Sequence, residues 1–317
     1  MENKLQILLN TPRLILRLPN ENDITDLYRR KLNLPNAVFK YIDHEDAMVA
    51  AVFKISQIGS PDLILKICSR KGDFLREFYF LTHFAGKIPV PKIIQLIEPE
   101  AGMDAAVLME CVPGDLLKSE IVTRTLAWEI GSLLASIHLE HAEGYGDLTD
   151  PSQLSSDPRI PFTMKFEEGL EECKGHLPES LLETCRRRFD KDIDLLLFAD
   201  GPCVIHRDFR PGNVIASDEK VRGIIDWSSG RGGFAEDDFC PLEFGEWPAG
   251  CKSSFLEGYA SIRKVPDYKP MMPLLRLSRA VAAVGFTVKR GTWESRNSKL
   301  YQFNLSYLES LAVGDKA

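Results

Sequence analysis

The sequence predicts an α+β protein with two lobes, a small lobe built on an antiparallel β-sheet and a larger lobe that is mainly helical. Before residue 111, apolar and β-branched runs alternate with turn signals, which is typical of strands. After Cys111-Val112-Pro113-Gly114, apolar residues instead recur at helical spacing. A chain of 317 residues is also long enough for two hydrophobic cores.

Two pairs of strands are expected in the first third of the chain. The runs Ala47–Ile55 and Leu63–Cys68 flank the turn signal Gly59-Ser60-Pro61, so they predict a β-hairpin. Lys92–Ile97 and Ala105–Glu110 are the second pair of apolar runs. These four runs predict a small, mainly antiparallel sheet.

One helix is expected to pack on this sheet. It begins at Asp73 and ends at Gly86, where a left-handed residue commonly closes a helix. Its predicted apolar face consists of Phe74, Leu75, Phe78 and Leu81. A shorter amphipathic helix over Asp23–Lys31, with Ile24, Leu27 and Tyr28 on one face, is also possible.

The second part of the chain reads mostly as helix. Helical spacing is clear from Leu126 to Ile137, and helical material resumes over 164–199 after a surface loop at 142–162. Short strands and loops fill 203–227. Two C-terminal helices follow, one with the stripe Leu274, Leu277, Val281 and Val284, the other with Leu300, Phe303, Tyr307 and Leu311.

Composition narrows the class of protein. The chain is 44% hydrophobic and 27% charged, as in ordinary globular proteins, and its net charge of −7 argues against a dedicated nucleic-acid binder. Seven scattered cysteines without a Cys-x-x-Cys pair predict neither a disulfide framework nor a zinc site. The start of the chain is unlike a signal peptide, and no run reaches the ~18 apolar residues that span a bilayer. We therefore predict a cytoplasmic protein without a membrane partner.

Three polar side chains at 208–226 predict a phosphoryl-transfer centre. The strand-like segment Val204–Ile205 leads to Asp208, Asn213 follows five residues later, and the apolar segment before Asp226 delivers a second carboxylate. Phosphoryl transfer needs a carboxylate aimed at the acceptor hydroxyl and metal ions on the phosphates. Magnesium is usually held by one or two protein oxygens plus the phosphates, which suits Asn213 and Asp226.

The segment HRDFRPGN at 206–213 resembles the catalytic loop of protein kinases, His-Arg-Asp-Leu-x-x-x-Asn. With IIDW at 224–227, it resembles more closely the aminoglycoside phosphotransferase and choline kinase branch of the protein-kinase-like superfamily. Flanking pieces in matching order extend the resemblance from about residue 45 to 240: ILK at 64–66, REFYFL at 76–81, VPK at 90–92, LMECVPG at 108–114, GYGDL at 144–148 and GGFAEDDF at 232–239.

The resemblance implies a fold and an activity. The fold is the bilobal kinase-like one, with a nucleotide-binding lobe at residues 1–112 and a catalytic, substrate-binding lobe at 113–317. The activity is transfer of the γ-phosphoryl of ATP, with Mg²⁺, to a hydroxyl of a small-molecule acceptor. Asp208 would be the catalytic base, and Arg210 would lie near the γ-phosphate, where protein kinases carry a lysine.

It also implies roles for nucleotide-binding residues. Lys66 would contact the α- and β-phosphates, and Glu77 on the following helix would pair with Lys66, although Asp73 and Glu110 compete for that pairing. The residues implied at the adenine are Met109 behind the ring, with the backbone of Glu110 and Val112 hydrogen-bonded to its edge. Asp238 matches a carboxylate that braces the catalytic loop, and His206 is expected to hold that loop rather than to react.

One segment departs from the family pattern. The family usually carries a Gly- or Ser-rich turn over the phosphates, whereas Asp43–Val49 has no glycine and three acids. This departure keeps a non-catalytic pseudokinase scaffold open as an alternative. A protein Ser/Thr kinase is the other alternative, although residues 226–238 leave little room for an activation segment and no Asp-Phe-Gly or Ala-Pro-Glu motif is present.

Two acidic clusters bear on the acceptor. One lies within 234–251, which contains five acids and no Lys or Arg: Glu236, Asp237, Asp238, Glu243 and Glu246. If it lines the cleft, it favours a cationic acceptor such as an aminoglycoside, amino sugar or amino alcohol. The other contains Glu167, Glu168, Glu171 and Glu172, for which a solvated helix face is the default explanation.

Overall fold

The computed structural model describes residues 21–43 and 50–314. The N-terminal lobe holds five antiparallel strands in the order β1-β2-β3-β5-β4 and two helices. In chain order these elements are α1 Glu21–Lys31, β1 Val38–Tyr41, β2 Ala50–Ser56, β3 Leu63–Cys68, α2 Lys71–Phe84, β4 Ile93–Ile97 and β5 Ala105–Glu110. The four predicted strands and the predicted hairpin are confirmed, and β1 adds a fifth strand at the edge.

Both faces of this sheet are covered. On one face, Tyr28 of α1 packs with Phe53 of β2 and Leu65 of β3 in an apolar cluster. On the other, α2 contributes Phe74, Phe80, Leu81 and Phe84 to the core that continues into the C-terminal lobe. The sequence predicted one helix on the sheet, and the possible helix near residue 23 supplies the second layer.

The C-terminal lobe is mainly helical. It contains α3 Arg124–His138, α4 Arg159–Cys173, α5 Glu179–Asp192, α6 Cys240–Glu243, α7 Lys252–Ala260, α8 Met272–Lys289 and α9 Ser298–Gly314. Its short strands are β6 Asp115–Leu116, β7 Cys203–Ile205, β8 Val214–Ser217, β9 Lys220–Ile224 and β10 Arg231–Gly233. We propose that the lobes divide at residues 112/113, because β5 pairs within the five-stranded sheet whereas β6 pairs with β8.

Two helix pairs build this lobe, α3 against α7 and α4 against α8. Gly258 of α7 lies so close to α3 that a Cβ atom there would be 1.9 Å from the carbonyl oxygen of Trp128. Any other residue would therefore push the helices apart. The predicted stripe of α8 is confirmed, since its four residues are at most 3% exposed.

Within the described residues, one helical segment, Lys269–Lys289, is long and apolar enough to cross a bilayer. The expectation that no apolar run is long enough to span a bilayer did not identify this segment. In the fold, 56% of its apolar stretch is buried against the rest of the lobe. Leu274 and Val281 belong to the same core as Phe166 of α4. The helix is thus a core element of the lobe.

Two predicted helix faces and one loop were wrong in detail. On α2, Phe78 is 36% exposed, while Glu77 and Phe80 point inward. On α9, Phe303 is 58% exposed and the buried positions are Tyr301, Asn304 and Leu308. The segment predicted as a surface loop at 142–162 already enters α4 at Arg159 and buries Tyr145 and Leu148. In each case the residues bury the face that packs on a neighbour, which hydrophobicity alone did not specify.

Candidate active site

The catalytic loop begins where β7 ends. Arg207 adopts the left-handed region (φ 71°), which turns the chain so that Asp208 points into the cleft. Such a backbone is strained for a non-glycine residue and persists only where its surroundings hold it. The surroundings do so here: the backbone N–H groups of His206 and Arg207 both donate to the carboxylate of Asp238. The predicted brace is therefore present.

Asp208 and Asn213 meet as their spacing predicted. The Asn213 side-chain amide donates one hydrogen bond to the Asp208 backbone carbonyl at 2.8 Å and another to Asp208 Oδ2 at 2.7 Å. Both amide hydrogens are thereby used, and the Asn213 side-chain oxygen is left as an acceptor. The Asp208 side chain is 37% exposed at the cleft.

Asp226 follows β9 and also has a left-handed backbone, with φ 63°. Its Oδ1 accepts from Lys66 Nζ at 2.7 Å and from the Ser228 hydroxyl at 2.8 Å. No described residue donates to Oδ2, and the side chain is 42% exposed. Asp226 Oδ2 and the Asn213 oxygen are therefore two hard oxygen donors beside Asp208, which is the set that a phosphate-bound Mg²⁺ requires.

No group of three or more His, Cys, Asp or Glu side chains within the described part of the chain could hold a metal ion. The two oxygen donors thus suit a cation that arrives with the nucleotide and keeps phosphate and water ligands.

Lys66 lies between two carboxylates. Its Nζ donates to Glu77 Oε2 at 2.8 Å as well as to Asp226, so the structure brings Glu77, rather than Asp73 or Glu110, to this lysine. Burial lowers the pKa of Lys66, but the charges of Asp226 and Glu77 outweigh burial and hold the pKa above its ordinary value. For Asp226, enclosure by protein raises the pKa, and Lys66 and Ser228 more than reverse this. The ammonium and this carboxylate are both charged at neutral pH.

The residues implied at the adenine border the inner end of the cleft. Met109 is buried in the core shared with α2 and α3. The Glu110 N–H is taken by the carbonyl of Lys92, at 2.9 Å. The Val112 N–H has no hydrogen-bond partner among the described residues, and the Val112 side chain packs on Gly223 of β9. Of the two backbone groups, the Val112 amide is the available donor.

Arg210 lies against the catalytic carboxylate. Its Nε is 3.2 Å from Asp208 Oδ1, and Glu246 is 3.9 Å from the same nitrogen. The guanidinium thus contacts Asp208 directly.

The acidic run after Asp226 does not line the cleft as the cationic-acceptor hypothesis required. Glu236, Asp237 and Asp238 are buried and bonded inside the C-terminal lobe. Asp238 also accepts from His138, whose other ring nitrogen contacts the Tyr259 hydroxyl at 2.9 Å. Asp237 and Asp238 thereby hold the loop, and Glu236 accepts from the backbone N–H of Asp200. Glu246 approaches the loop at Arg210, and Glu243 pairs with Lys252.

The second acidic cluster matches its default explanation. Each of its four glutamates has a basic partner on the surface of the lobe: Glu167 with Arg186, Glu168 with Lys165, Glu171 with Lys174 and Glu172 with Lys289. Three of them line an open groove of about 920 Å³ with Ile160 and Met164, on the outside of α4. The groove does not include any residue of the catalytic loop.

Sequence reasoning missed Arg76, the neighbour of Glu77. Its guanidinium donates to the backbone carbonyl of Ser228 at 2.5 Å and pairs with Asp147 and Asp73. It thereby ties α2 both to the segment after Asp226 and to a loop of the C-terminal lobe. The motif REFYFL contained this residue, but only the fold shows which way it points.

The predicted phosphate-covering turn, Asp43–Val49, lies outside the described residues except for Asp43. The pairing of Asp43 with Arg296 is on the surface.

A family model for phosphotransferase enzymes matches residues 50–274. The chain belongs to this phosphotransferase enzyme family. The matched range covers most of the chain and includes every predicted site residue. No curated protein sequence is significantly similar to the chain.

Solved aminoglycoside phosphotransferases share its fold at low sequence identity. Aminoglycoside phosphotransferase APH(4)-Ia is 13% identical, with a TM-score of 0.68 over 92% of this chain and 98% of that one. The gentamicin complex of APH(2″)-IIa is 15% identical, with a TM-score of 0.66 over 93% and 97%. ADP-bound APH(2″)-Ib is 14% identical, with a TM-score of 0.59 over 93% and 97%. The kinase-like bilobal fold is therefore confirmed.

Proposed function

We propose that this phosphotransferase moves the γ-phosphoryl of ATP to a hydroxyl of a small molecule. The observation that carries the proposal is the position of Lys66 Nζ, 2.8 Å from Glu77 and 2.7 Å from Asp226. These two ion pairs bring α2, β3 and the segment after β9 together around one ammonium group, which can bind phosphate oxygens. Asp208 and Asn213 lie on the same side of the cleft, so the phosphate clamp and the acceptor-facing carboxylate form one site.

Each side chain then has a task. Asp208 orients the acceptor hydroxyl and accepts its proton, and Asn213 fixes Asp208 through one hydrogen bond to its carboxylate and one to its backbone carbonyl. Lys66, held by Glu77, binds the phosphates, and Arg210 binds the γ-phosphoryl as negative charge shifts. Met109 and the backbone of Glu110 and Val112 bind the adenine.

Asn213 Oδ1 and Asp226 Oδ2 would hold Mg²⁺. When bound, that ion neutralises charge on the phosphate oxygens. Asp226 keeps its carboxylate ionised for this purpose because Lys66 lowers its pKa.

The acceptor is proposed as a small hydroxyl compound, with a cationic one kept as the first class to test. APH(4)-Ia has been solved with hygromycin B and APH(2″)-IIa with gentamicin, so related folds bind aminoglycosides. Because Glu236, Asp237 and Asp238 are buried, they contribute little to the attraction of a cationic acceptor. The negative charge that remains at the catalytic loop is that of Asp208 and Glu246.

The protein Ser/Thr kinase alternative receives no support from the fold. Residues 226–239 are packed into the lobe. Within them, β10 pairs with β7, and the segments on either side are 3₁₀ turns. No extended activation segment is left in this range to receive a protein substrate.

The proposal is tested by ADP release with a panel of acceptors. The panel pairs each amine-bearing alcohol with its amine-free counterpart, and a Ser/Thr peptide is included. We expect Mg²⁺-dependent ADP release above the acceptor-free rate for at least one small molecule and none for the peptide. A parallel thermal-shift measurement with Mg-ATP separates the pseudokinase alternative, because a ligand of the native state raises its stability. No shift at millimolar Mg-ATP would refute nucleotide use.

A further inference from the structure

A cluster of arginines lies behind the catalytic loop, at the junction of the two lobes. The register of β10 on β7 places Arg231 opposite Ile205, two residues before Arg207. Arg76 of α2 reaches the same junction, because it binds the carbonyl of Ser228 three residues upstream of Arg231. A pocket of about 30 Å³ opens here, and both Arg207 and Arg231 line it.

The ion pairs at this junction do not include Arg231. Asp237 pairs with both Arg207 and Arg279, and Arg76 is paired with Asp147 and Asp73. Arg231 forms no ion pair with any described residue. Its Nε donates a long hydrogen bond, 3.3 Å, to the Ser229 carbonyl. Arg76, Arg207 and Arg279 are therefore held by carboxylates, whereas Asp237 and Asp147 attract Arg231 only from beyond ion-pair distance.

This arrangement is unfavourable for the protein alone. Burial, followed by the charges of Arg207 and Arg76, lowers the pKa of Arg231 to about 9. Asp237 and Asp147 oppose this shift without reversing it, and a half-buried guanidinium that has no ion-pair partner destabilises a fold unless something compensates it. Its planar fork of donors matches the oxygens of a phosphate or sulfate group.

We propose that Arg231, with Arg207 and Arg76 beside it, forms a binding site for a small oxyanion, a phosphate or sulfate group, behind the catalytic loop. The pocket has room for one such group and none for a nucleotide. Apolar walls, formed by Pro158, Pro161, Phe162 and Phe234, strengthen the attraction by excluding water. Lys165 adds a third positive charge to the lining, and Asp237, which is paired with Arg207 and Arg279, is its one carboxylate.

The site would couple α2 to the catalytic loop. Arg76 adjoins Glu77, the partner of Lys66, and Arg207 adjoins Asp208. An oxyanion shared among the three arginines would therefore hold both halves of the proposed active site in place. This effect on turnover rests on the proposed function, whereas binding of the anion does not.

The test is sulfate titration of the full-length protein, without nucleotide or acceptor, at constant ionic strength. Three proteins are compared: the wild type, Arg231→Met and the control Arg222→Gln, which removes an arginine from the distant β8–β9 hairpin. Sulfate raises Tm in general through exclusion from protein surfaces, so the informative quantity is the difference between variants. We expect the wild type and Arg222→Gln to gain stability with sulfate equally, as a filled site requires, and Arg231→Met to gain distinctly less.

A second expectation concerns sulfate-free buffer, where removing an unpaired charge should help. There Arg231→Met should melt roughly 2 °C or more above the wild type. An arginine with a merely structural role would give the opposite sign. Equal sulfate responses in the wild type and Arg231→Met, or a lower Tm for Arg231→Met in sulfate-free buffer, would overturn the proposal.

Crystals soaked in selenate give a result that does not depend on a variant. An anomalous peak within hydrogen-bond distance of the Arg231 guanidinium supports the site, and its absence at a concentration that saturates the thermal response refutes it. The mass of the protein after incubation with Mg-ATP separates two sources of the oxyanion. An added phosphoryl group that abolishes the sulfate response points to a phosphorylated side chain, and an unchanged mass points to a free anion. A failed phosphotransfer assay leaves all of these binding measurements unaffected.

Discussion

Two groups of acidic side chains lie close together in sequence and are used in opposite ways. Asp208 and Asp226 open onto the cleft with side chains 37% and 42% exposed. Glu236, Asp237 and Asp238, only ten residues further on, are at most 4% exposed. The cleft acids keep an oxygen or a face free for a ligand. The oxygens of the buried acids accept hydrogen bonds from backbone N–H groups, arginines and a histidine.

The comparison teaches that acidity along a chain does not locate a substrate site. What distinguishes the two groups is whether the fold leaves lone pairs unused at a surface. The comparison also predicts different phenotypes for the two groups. Substitutions in the cleft group should alter chemistry or nucleotide binding with little effect on stability. Substitutions in the buried group should alter stability.

Asp208→Ala should show the largest effect and define the cleft group. Removing the proton-accepting carboxylate should lower turnover by roughly 10²–10⁴-fold while leaving Mg-ADP binding close to that of the wild type. Turnover is measured by ADP release with the best acceptor. Asp218→Ala, which removes an exposed acid from the β8–β9 turn, is the matched control and should keep full activity. Unchanged turnover in Asp208→Ala would end the catalytic assignment.

Asp238→Asn should define the buried group. The change removes a charge that accepts from two backbone N–H groups and from His138, and it turns an NH₂ toward those donors. We expect the free energy of unfolding to fall by about 3 kcal/mol or more, as measured by urea denaturation. Asp208→Ala in the same assay should change it by less than about 1 kcal/mol. Equal losses in the two variants would erase the distinction between the groups.

Asp226→Asn should affect nucleotide binding. At Mg-ATP 100-fold above its Kd, the wild type gains about 2.7 kcal/mol of stability, and we expect the variant to lose most of this gain because a metal ligand and the partner of Lys66 are both weakened. Ser228→Ala, which removes only one hydrogen bond to Asp226, is the control and should retain most of it. A full Mg-ATP shift in Asp226→Asn would remove this residue from the metal site.

Glu236→Gln should give the smallest effect, visible through pH. Burial raises the pKa of the Glu236 carboxyl to about 7, so the folded state binds its proton more tightly than the unfolded state does. Ionisation therefore lowers stability as pH rises from about 4.5 to about 7. The variant has no such proton, and its advantage should be near zero at pH 5 and about 1–3 kcal/mol at pH 8. Urea denaturation at the two pH values checks this, and a difference independent of pH would contradict it.

Much of the geometry of the candidate site could be predicted from sequence because several of its residue pairs are local. Asp208 and Asn213 share one loop, and five residues are enough to bring their side chains together. The pairing of Lys66 with Glu77 could be expected from β3 leading directly into α2. The strands were also predictable, since β2 alternates buried and partly exposed residues along its whole length.

What failed depends on contacts that a linear pattern does not contain. The outward turn of Phe78 follows from where the C-terminal lobe touches α2. Burial of Glu236–Asp238 follows from partners such as Arg279 and His138, which are 42 and 100 residues away from their acids. Without knowledge of those partners, a run of acids in the sequence is interpreted as part of the surface.

Trp227, the residue after Asp226, gives the molecule an optical reporter. Its indole is fully buried, 5.5 Å from the ring of Phe80 and 4.8 Å from that of Phe84 on α2, and 4.5 Å from His206 of the catalytic loop. Its emission therefore depends on how α2 sits against the catalytic loop. Replacing the other three tryptophans (Trp128, Trp247 and Trp293) would leave a protein whose own fluorescence reports any change in the packing of α2 on this loop, without any attached dye.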